Sequence, residues 1–301
     1  MKKFLFLVNP ISGTVKKAGV VELIKKEAEN KNISYEIGST RADGIYEDVK
    51  QKIHTEHFTH IGIVGGDGTV NQVVNYLKDE PVQFGIVPMG SGNGLALAAG
   101  IPKKTKAALQ LLFEGKSKMV DAFLINGQFS CMLSGLGFDA YVAHEFANKA
   151  SRGLMTYTKE TLLHYFKAGT YPFEISINSF HFSTEAFFIS IANSNQFGNK
   201  VTIAPQASLS DGLLDIVIVQ KMSKALLPFA VLSHLKGKNK TQALAEEALK
   251  KNIIYFQTPS LKIINKAKAP LHIDGEPKDS AKEFEISIIK HCFKLIQPDF
   301  S

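Results

Sequence analysis

The feature that most constrains the fold is a regular alternation of short apolar runs and amphipathic helical patterns over about the first 120 residues. The apolar runs lie at 4–8, 33–37, 61–64 and 84–87, and the helical patterns lie at 16–30, 45–56, 70–78 and 103–114. In the third helical pattern the apolar residues recur at the spacing of one helix face, at Val70, Val73, Val74 and Leu77. This alternation predicts a Rossmann-like α/β domain whose parallel sheet is covered by helices on both faces.

The sequence after residue 120 is richer in strand signals, and many of its runs alternate apolar with polar residues. Such alternation is typical of half-buried antiparallel strands. Two helical insertions interrupt the runs, at about 139–169 and 222–250. We therefore predict one domain over 1–120 and an antiparallel β-sandwich domain over 121–287, with residues 288–301 packing back on the first domain. The boundary lacks a flexible linker, so a cleft between closely packed domains is expected.

The composition indicates which cellular compartment and which classes of partner to expect. The 301 residues contain only two cysteines, Cys131 and Cys292, which favours buried thiols in a reducing, cytoplasmic compartment. The first apolar run is too short for a signal peptide, and no apolar stretch approaches a membrane span. The formal charge of +7 favours phosphate-bearing ligands or an anionic membrane surface. No basic run is interleaved with aromatic residues, so nucleic acid is not an expected partner.

Glycine-rich loops follow several of the predicted parallel strands. The first is "NPISGT" at 9–14, and the second contains Gly65, Gly66, Asp67 and Gly68. The third surrounds Ser91 and Asn93, which are small donors able to meet phosphate oxygens. Glycine permits positive φ and close approach of a ligand, and helix starts offer unpaired N–H groups to phosphate. Because the carboxyl ends of parallel strands share one sheet edge, these loops predict a phosphate site there. The carboxylate of Asp67 suits magnesium or a base, or else an ordinary helix N-cap.

Some other patterns are weaker. "GLGFDA" at 135–140 follows a predicted strand at 129–133 and matches a dinucleotide fingerprint, but it lies in the β-rich half. His54, His57 and His60 are three apart, and a solvated helix end is favoured over a metal site. The segment 225–240 is apolar and then lysine-rich; a core helix with solvated lysines is favoured over contact with an anionic membrane. Aromatic residues in 150–172 fit either a lipid pocket or core packing: Tyr157, Tyr165, Phe166 and Tyr171.

Taken in order, "GGDGTVNQVVN", "PMGSGNGLALAAGIP", "GLGFDA", "SDGLLDIVIV" and "HIDGEP" resemble the diacylglycerol kinase catalytic-domain family of lipid kinases, which is related to sphingosine and ceramide kinases. The likeness covers nearly the whole chain. GGDGT alone is shared with NAD kinases, whereas the ordered set is specific for the family. The resemblance implies the NAD kinase/diacylglycerol kinase type of fold, with the nucleotide on the α/β domain and the lipid acceptor on the β domain.

The resemblance also implies roles for single residues. Asp67 would act close to the ATP phosphates and Mg²⁺. The groups implied to hold the nucleotide are Asn9, Pro10, Ser12, Gly13, Thr40, Gly65, Gly66, Gly68, Thr69, Asn71, Gly90 and Ser91. Glu276 would be the proton acceptor, with Asp274 beside it in the catalytic "DGE" motif, and Asp139 would contact the lipid head group. A second, structural magnesium would be held by the loop containing Ser208, Asp211 and the Leu213 carbonyl.

From the residues alone, "IDGE" also fits a hairpin tip, and Asp211-Gly212 also fits a turn. The chain reads "GSGNG" where bacterial diacylglycerol kinases commonly read "GTxND", so diacylglycerol and sphingoid-type acceptors both stay open. The resulting expectation is an ATP- and Mg²⁺-dependent lipid kinase, cytoplasmic and peripheral to an anionic membrane. The alternatives are an NAD-kinase-type enzyme with a soluble substrate and a non-catalytic nucleotide- or lipid-binding regulator. The sequence leaves open whether the chain is a monomer or a homodimer.

Overall fold

The computed structural model describes residues 2–10, 17–147, 169–196, 202–237 and 239–299. The chain divides into two compact units. Unit 1 comprises Met1–Val120 with His291–Ser301, and unit 2 comprises Asp121–Lys290. The predicted residues Ser12 and Gly13, and the aromatic residues Tyr157, Tyr165 and Phe166, lie outside the described residues.

Unit 1 is built around a parallel sheet. Its strands are β1 (Lys3–Val8), β2 (Ser34–Ser39), β3 (His60–Gly65) and β4 (Gln83–Pro88). Its helices are α1 (Lys17–Asn30), α2 (Glu47–Glu56), α3 (Asp67–Leu77), α4 (Gly94–Ala98) and α5 (Thr105–Glu114). The strand order is β2-β1-β3-β4, and the end of the C-terminal strand adds to the β4 edge in parallel, with Leu295 in register with Phe84.

The core of unit 1 forms because strands β1, β3 and β4 are buried along nearly their whole length, as a sheet covered on both faces requires, whereas β2 is only partly buried. Phe4 and Phe6 of β1 pack with Ile24 of α1 and Leu109 of α5 in one buried cluster. Ile296, near the C-terminus, is part of the same cluster and is 1% exposed.

Strand β5 (Lys116–Ile125) leads the chain into unit 2. The elements that follow are β6 (Gln128–Ser130), β7 (Leu133–Gly137), α6 (Phe138–Ala147), β8 (Tyr171–Ile177), β9 (Phe180–Ala192), β10 (Leu214–Gln220), α7 (Leu227–Leu235), a 3-10 turn (Ala248–Lys250), β11 (Ile253–Thr258), β12 (Ser260–Asn265), β13 (Leu271–Ile273), β14 (Glu276–Lys278) and β15 (Glu283–Gln297). The strand order is β14-β13-β7-β9-β8-β12-β15; β10 pairs with β9 and β11, and β5 pairs with β6.

The pairings within unit 2 are antiparallel. Successive side chains of β10 enter different clusters, because side chains alternate between the faces of a strand. Ile216 and Ile218 lie in one buried cluster, whereas Val217 and Val219 lie in another, which also contains Leu227 of α7. Strand β10 is therefore buried on both faces, whereas the alternating pattern predicted half-buried strands.

The predicted fold class is confirmed: a parallel α/β unit is followed by an antiparallel β-sandwich-like unit.

Two local predictions need correction. Helix α3 begins at Asp67 rather than at residue 70, and "GLG" at 135–137 is the end of strand β7 rather than a loop after a strand. The three histidines do not form a metal site: His54 contacts Glu80, His57 is the left-handed C-cap of α2, and His60 is buried in β3.

Candidate functional site

The loops of unit 1 meet at the carboxyl edge of its parallel strands. In the order β2-β1-β3-β4 the connections reverse direction between β1 and β3, and such a switch point is where open α/β sheets bind ligands. Asn9, which follows β1, donates its backbone N–H to the Val64 carbonyl at 3.0 Å. Its side-chain Nδ2 donates to Thr69 Oγ1 in α3 at 2.7 Å. The predicted residues Asn9 and Thr69 are therefore joined directly across the switch point.

The glycine loops after β3 and β4 touch through their backbones. A Cβ placed on Gly90 would lie 2.6 Å from the Gly66 Cα, and one on Gly66 would lie 3.0 Å from the Gly90 Cα. The Met89 N–H also donates to the Gly65 carbonyl at 2.8 Å. None of Gly65, Gly66 and Gly90 has a positive φ. These glycines therefore do not serve a positive φ. The close approach of the two loops requires Gly66 and Gly90, and the Thr69 side chain, which a Cβ would meet at 2.6 Å, requires Gly65.

Asp67 is the first residue of α3. The N-cap is Gly66, whose backbone is extended, and no side chain caps this helix end. The N-cap alternative for Asp67 is therefore excluded. The first intrahelical bond runs from the Val70 N–H to the Gly66 carbonyl at 3.0 Å, so the amides of Asp67, Gly68 and Thr69 precede the helical ladder. Asp67 is half-buried beside these amides, and Asn71 is half-buried one turn further along the helix.

The loop after β4 is held by its own asparagine. Asn93 has a left-handed φ of 54°, and its side chain is buried. Its Oδ1 accepts the Gly90 N–H at 2.8 Å, and its Nδ2 donates to the Gly90 carbonyl at 2.6 Å. Asn93, considered from the sequence as a phosphate donor, thus makes both of these bonds within the loop, while Ser91 at the tip is exposed.

Thr40 lies at the same sheet edge, because its N–H donates to the Val8 carbonyl at 3.0 Å. The loop beyond it is fixed to α3 through the buried Tyr46. The Tyr46 hydroxyl donates to Gln72 Oε1 at 3.2 Å and accepts the Arg41 N–H at 3.2 Å. Burial raises the pKa of Tyr46, so the hydroxyl keeps its proton. The sequence analysis missed Tyr46 and Gln72, because nothing in the local pattern links residues 26 positions apart.

In unit 2 the "HIDGEP" segment is a tight hairpin between β13 and β14. Asp274 and Gly275 occupy its two central positions with φ of 48° and 83°, the signs of a type I′ turn. The hairpin alternative for "IDGE" is therefore correct as a description of geometry. Glu276 begins β14 and is exposed.

The carboxylate of Asp274 is buried and accepts several hydrogen bonds. Its donors are Ser130 Oγ at 2.6 Å and the backbone N–H groups of Cys131, Met132 and Leu133 at 3.0, 3.1 and 3.1 Å. Its own N–H donates to the Leu133 carbonyl at 2.9 Å. These bonds fix the turn that carries Glu276.

Asp139, the predicted head-group contact, lies on the first turn of α6 and is 7% exposed. Its Oδ1 accepts the Ala140 N–H at 2.8 Å, and its buried Oδ2 makes no hydrogen bond. Oδ2 lies 3.5 Å from Nε2 of the buried His272. A Cβ on Gly135 would fall 2.0 Å from Oδ2 and 2.6 Å from Nε2, so a glycine in β7 leaves the space that both side chains occupy. This contact explains Gly135 without a dinucleotide, and Gly137 has a positive φ of 103°.

The other nitrogen of His272 contacts the hairpin, because Nδ1 accepts the Gly275 N–H at 3.2 Å. One imidazole therefore lies between Asp139 and the turn that carries Glu276. No sequence motif indicated His272; the only signal was its place in "HIDGEP".

Two carboxylates accept backbone N–H groups of the predicted structural-metal loop. Asp211 Oδ1 accepts the Leu213 N–H at 3.0 Å, and the neighbouring Asp121 Oδ2 accepts the Gly212 N–H at 2.7 Å. Burial, and then the charge of Asp121, raises the pKa of Asp211. Among the described residues, no group of three or more His, Cys, Asp or Glu side chains could hold a metal. A cation here would need hydroxyl and carbonyl ligands as well, and Ser208 and Leu213 fit that requirement.

No helix among the described residues is long and apolar enough to cross a membrane.

Two protein-family models match the chain. The family model of the diacylglycerol kinase catalytic domain matches residues 3–125, and that of the YegS C-terminal NAD kinase beta sandwich-like domain matches residues 133–288. Proteins named "Probable lipid kinase YegS-like" from Yersinia pestis (strain Pestoides F) and Yersinia pseudotuberculosis serotype O:1b (strain IP 31758) are each 29% identical over 293 residues, covering 91% of this chain and 94% of theirs.

A crystal structure described as a "putative diacylglycerol kinase" from Bacillus anthracis str. Sterne superposes with a TM-score of 0.78 at 21% identity, covering 99% of this chain and 97% of that one. This likeness shows the shared fold. Together, the two matching models account for most of both units in the order in which the motifs occur. The chain therefore belongs to the diacylglycerol kinase catalytic-domain family of lipid kinases.

Proposed function

We propose that this protein is an ATP-dependent lipid kinase that transfers the γ-phosphoryl group to a lipid hydroxyl. The observation that carries the proposal is the meeting of the loops after β1, β3 and β4 at the switch point of unit 1. There the Asn9–Thr69 hydrogen bond and the Gly66–Gly90 contact bring helix-start amides and Asp67 together. Phosphoryl transfer depends mainly on positioning and electrostatic stabilisation, and backbone amides supply both to phosphate oxygens.

In this proposal the substrate ATP lies with its phosphates on the amides of Gly65, Gly66, Gly68 and Thr69. Asn71, Gly90 and Ser91 complete this side, with Asn9, Pro10, Ser12, Gly13 and Thr40 from the neighbouring loops. Asp67 would hold Mg²⁺, which supplies positive charge to the phosphate oxygens when it is bound. A second Mg²⁺ at Ser208, Asp211 and Leu213 would serve the stability of unit 2.

Unit 2 supplies the groups for the acceptor. The lipid hydroxyl oxygen forms a bond to the γ-phosphorus, the bond from that phosphorus to the β–γ bridging oxygen breaks, and ADP leaves. The hydroxyl proton passes to the Glu276 carboxylate, which is exposed and able to exchange it with water. Asp139 orients the head group through its Oδ2, which has no hydrogen bond of its own. Asp274 and His272 act as positioning residues, because their contacts hold the turn that carries Glu276.

The test is an acceptor panel. Purified protein is incubated with γ-labelled ATP and Mg²⁺, and with diacylglycerol, sphingosine, ceramide or NAD in separate reactions. Label on at least one lipid, and its loss in Glu276→Gln, is the expected result; because Glu276 is exposed, this variant should fold normally. Label on NAD alone would favour the soluble-substrate alternative, which the NAD kinase-like C-terminal model keeps relevant. Nucleotide binding without transfer to any acceptor would favour a regulator.

A further inference from the structure

Helix α7 of unit 2 is apolar on both of its sides. The inner side packs against the sheet: Leu227 is buried in a cluster with Leu133, Val217 and Tyr255. Ala230, Val231 and Leu235 pack on the same cluster, and the buried His234 contacts the Ile203 carbonyl through Nε2 at 2.6 Å. These positions recur at helical spacing, so the inner side alone fixes the helix in the fold.

The outer side carries large apolar residues that the fold leaves exposed. Leu226 is 43% exposed, Phe229 is 70% exposed and Leu232 is 54% exposed; we call these three residues the α7 edge. Only two other large hydrophobic side chains among the described residues are exposed, Ile45 and Tyr141. A concentration of such side chains on one helix marks a surface for binding, whereas single exposed apolar residues are ordinary.

The charges around the α7 edge have one sign. Residues 221–240 contain five lysines and no aspartate or glutamate: Lys221, Lys224, Lys236, Lys238 and Lys240. Lys236 is exposed four residues after Leu232 and seven after Phe229, so it projects from the same outer side. Lys221 pairs with Glu185 at 2.6 Å, and three of the other lysines follow the C-terminal end of the helix in the sequence.

From these observations we infer that the α7 edge is the surface that docks on an anionic phospholipid bilayer. Phe229, Leu226 and Leu232 enter the boundary between head groups and acyl chains, and Lys236 contacts lipid phosphates. Charge complementarity favours this occupant over a second copy of the chain, because symmetric pairing of two edges would bring like-charged lysines together. The sequence alone favoured a core helix with solvated lysines; exposure of Phe229 and Leu232 reverses that preference.

The docking surface is tied to the acceptor groups of the same unit. Leu133, at the start of β7, packs in the α7 cluster; its N–H donates to the Asp274 carboxylate, and its carbonyl accepts the Asp274 N–H. The helix that meets the bilayer therefore rests on the strand that fixes the Glu276 hairpin. The inference rests on the proposed function only for the purpose of docking, which is to bring unit 2 to its lipid substrate. Bilayer binding itself is measured without ATP.

The experiment uses the absence of tryptophan from the chain. Phe229→Trp places a single reporter on the α7 edge, and Ile45→Trp places one at an exposed apolar position in unit 1, 51% exposed. Both proteins are mixed with phosphatidylcholine vesicles, and with vesicles of equal parts phosphatidylcholine and phosphatidylglycerol. We expect a blue shift, and quenching by lipids brominated on the acyl chains, for Phe229→Trp with the anionic vesicles only. The Ile45→Trp emission should not change.

Variants that should change the affinity for vesicles complete the test, and vesicle sedimentation measures that affinity. The double variant Phe229→Ser, Leu232→Ser should bind anionic vesicles about tenfold more weakly or worse, because burial of each side chain is lost. Lys236→Gln should weaken binding about fivefold, whereas the charge-matched Lys26→Gln in α1 should not. Circular dichroism melting confirms that each variant folds; if the double variant does not, the Phe229→Trp quenching and the Lys236→Gln comparison decide.

Several outcomes would overturn the inference. Equal binding of wild type and the double variant, or the same emission change at positions 45 and 229, would remove the α7 edge from bilayer contact. A wild-type dimer that the double variant converts to a monomer, with vesicle binding unchanged, would assign the edge to a second copy. If vesicle binding is as expected but no lipid is phosphorylated in detergent solution, the docking surface stands and the proposed function fails.

Discussion

At the scale of single residues, His272 holds together the groups assigned to the acceptor. Because Nδ1 accepts the Gly275 N–H, the proton of a neutral ring lies on Nε2 and faces Asp139 Oδ2. The ring is fully buried, so water does not substitute for either contact. One side chain thus orients both the proposed head-group ligand and the turn that carries the proposed base.

Two substitutions separate these contacts. The amide oxygen of His272→Asn can replace Nδ1, and the amide nitrogen of His272→Gln can replace Nε2. We predict that His272→Asn keeps the hairpin and mainly raises KM for the lipid, while His272→Gln keeps the Asp139 contact and mainly lowers kcat, each by about tenfold. Steady-state kinetics with varied lipid checks this split. An equal loss of both parameters in both variants would show a purely structural residue.

The buried His60 gives a prediction about pH. Burial in β3, and then the charge of Lys2, lowers the pKa of His60 from 6.5 to about 4. The folded protein therefore binds fewer protons here than the unfolded chain between these values. The contribution of His60 to stability is complete above pH 6.5 and is lost as the pH falls towards 4. This loss lowers the free energy of unfolding by about 3 kcal/mol.

Urea unfolding between these pH values tests the prediction. His60→Gln should flatten the acid dependence of the free energy of unfolding. An unchanged slope in His60→Gln would show that another group causes any acid loss.

At the scale of elements, the backbone contact between the β3 and β4 loops gives the sharpest prediction. Gly90→Ala places a methyl 2.6 Å from the Gly66 Cα, so one loop must move. We expect the free energy of unfolding to fall by about 1–3 kcal/mol, which is the usual cost of overpacking. Because the same loops carry the proposed phosphate amides, ATP affinity should also fall by about tenfold.

The control is Gly19→Ala in α1, where a Cβ meets no atom within 4 Å. This variant should raise the free energy of unfolding by about 0.5–1 kcal/mol through helix propensity and leave ATP affinity unchanged. Calorimetric titration with a non-hydrolysable ATP analogue measures both proteins. If Gly90→Ala binds the nucleotide as wild type does, the loops do not hold the phosphates.

Periodicity predicted most elements of unit 1 because apolar strands and helix faces are local signals. The start of α3 was missed since Gly66, Asp67 and Gly68 are poor helix formers. What holds this start is tertiary: the Asn9–Thr69 hydrogen bond and the contact with Gly90. Likewise, Gly135 lies in a strand because it pairs with Ser190 and His272, and no local sequence pattern shows these pairings.

The candidate site was predictable to the extent that it consists of motifs. The sequence placed the glycine loops on one sheet edge and "DGE" on a turn, and the structure has both arrangements. It could not show Asn93 bound within its own loop, Tyr46 bound to Gln72 or His272 beside Asp139, since each is a contact of side chains chosen by packing. The roles of Asp67, Glu276 and Asp139 in catalysis stay predictions.

At the scale of the whole molecule, the proposed functions divide between the two units. Unit 1 has the glycine loops and Asp67, and unit 2 has Glu276, Asp139 and the α7 edge. The net charge of +7 suits both an anionic nucleotide and an anionic bilayer. This division predicts that nucleotide affinity and lipid transfer can be lost separately by substitutions in different units.

The central claim is that Asp67 acts in transfer of a phosphoryl group that the glycine loops of unit 1 bind. The most direct measurement is a single-turnover reaction of labelled ATP with the preferred lipid, using wild type and Asp67→Asn at matched nucleotide occupancy. We predict that Asp67→Asn binds ATP within a few-fold of wild type but transfers phosphate at least about a hundredfold more slowly. Transfer at the wild-type rate by Asp67→Asn would contradict the account.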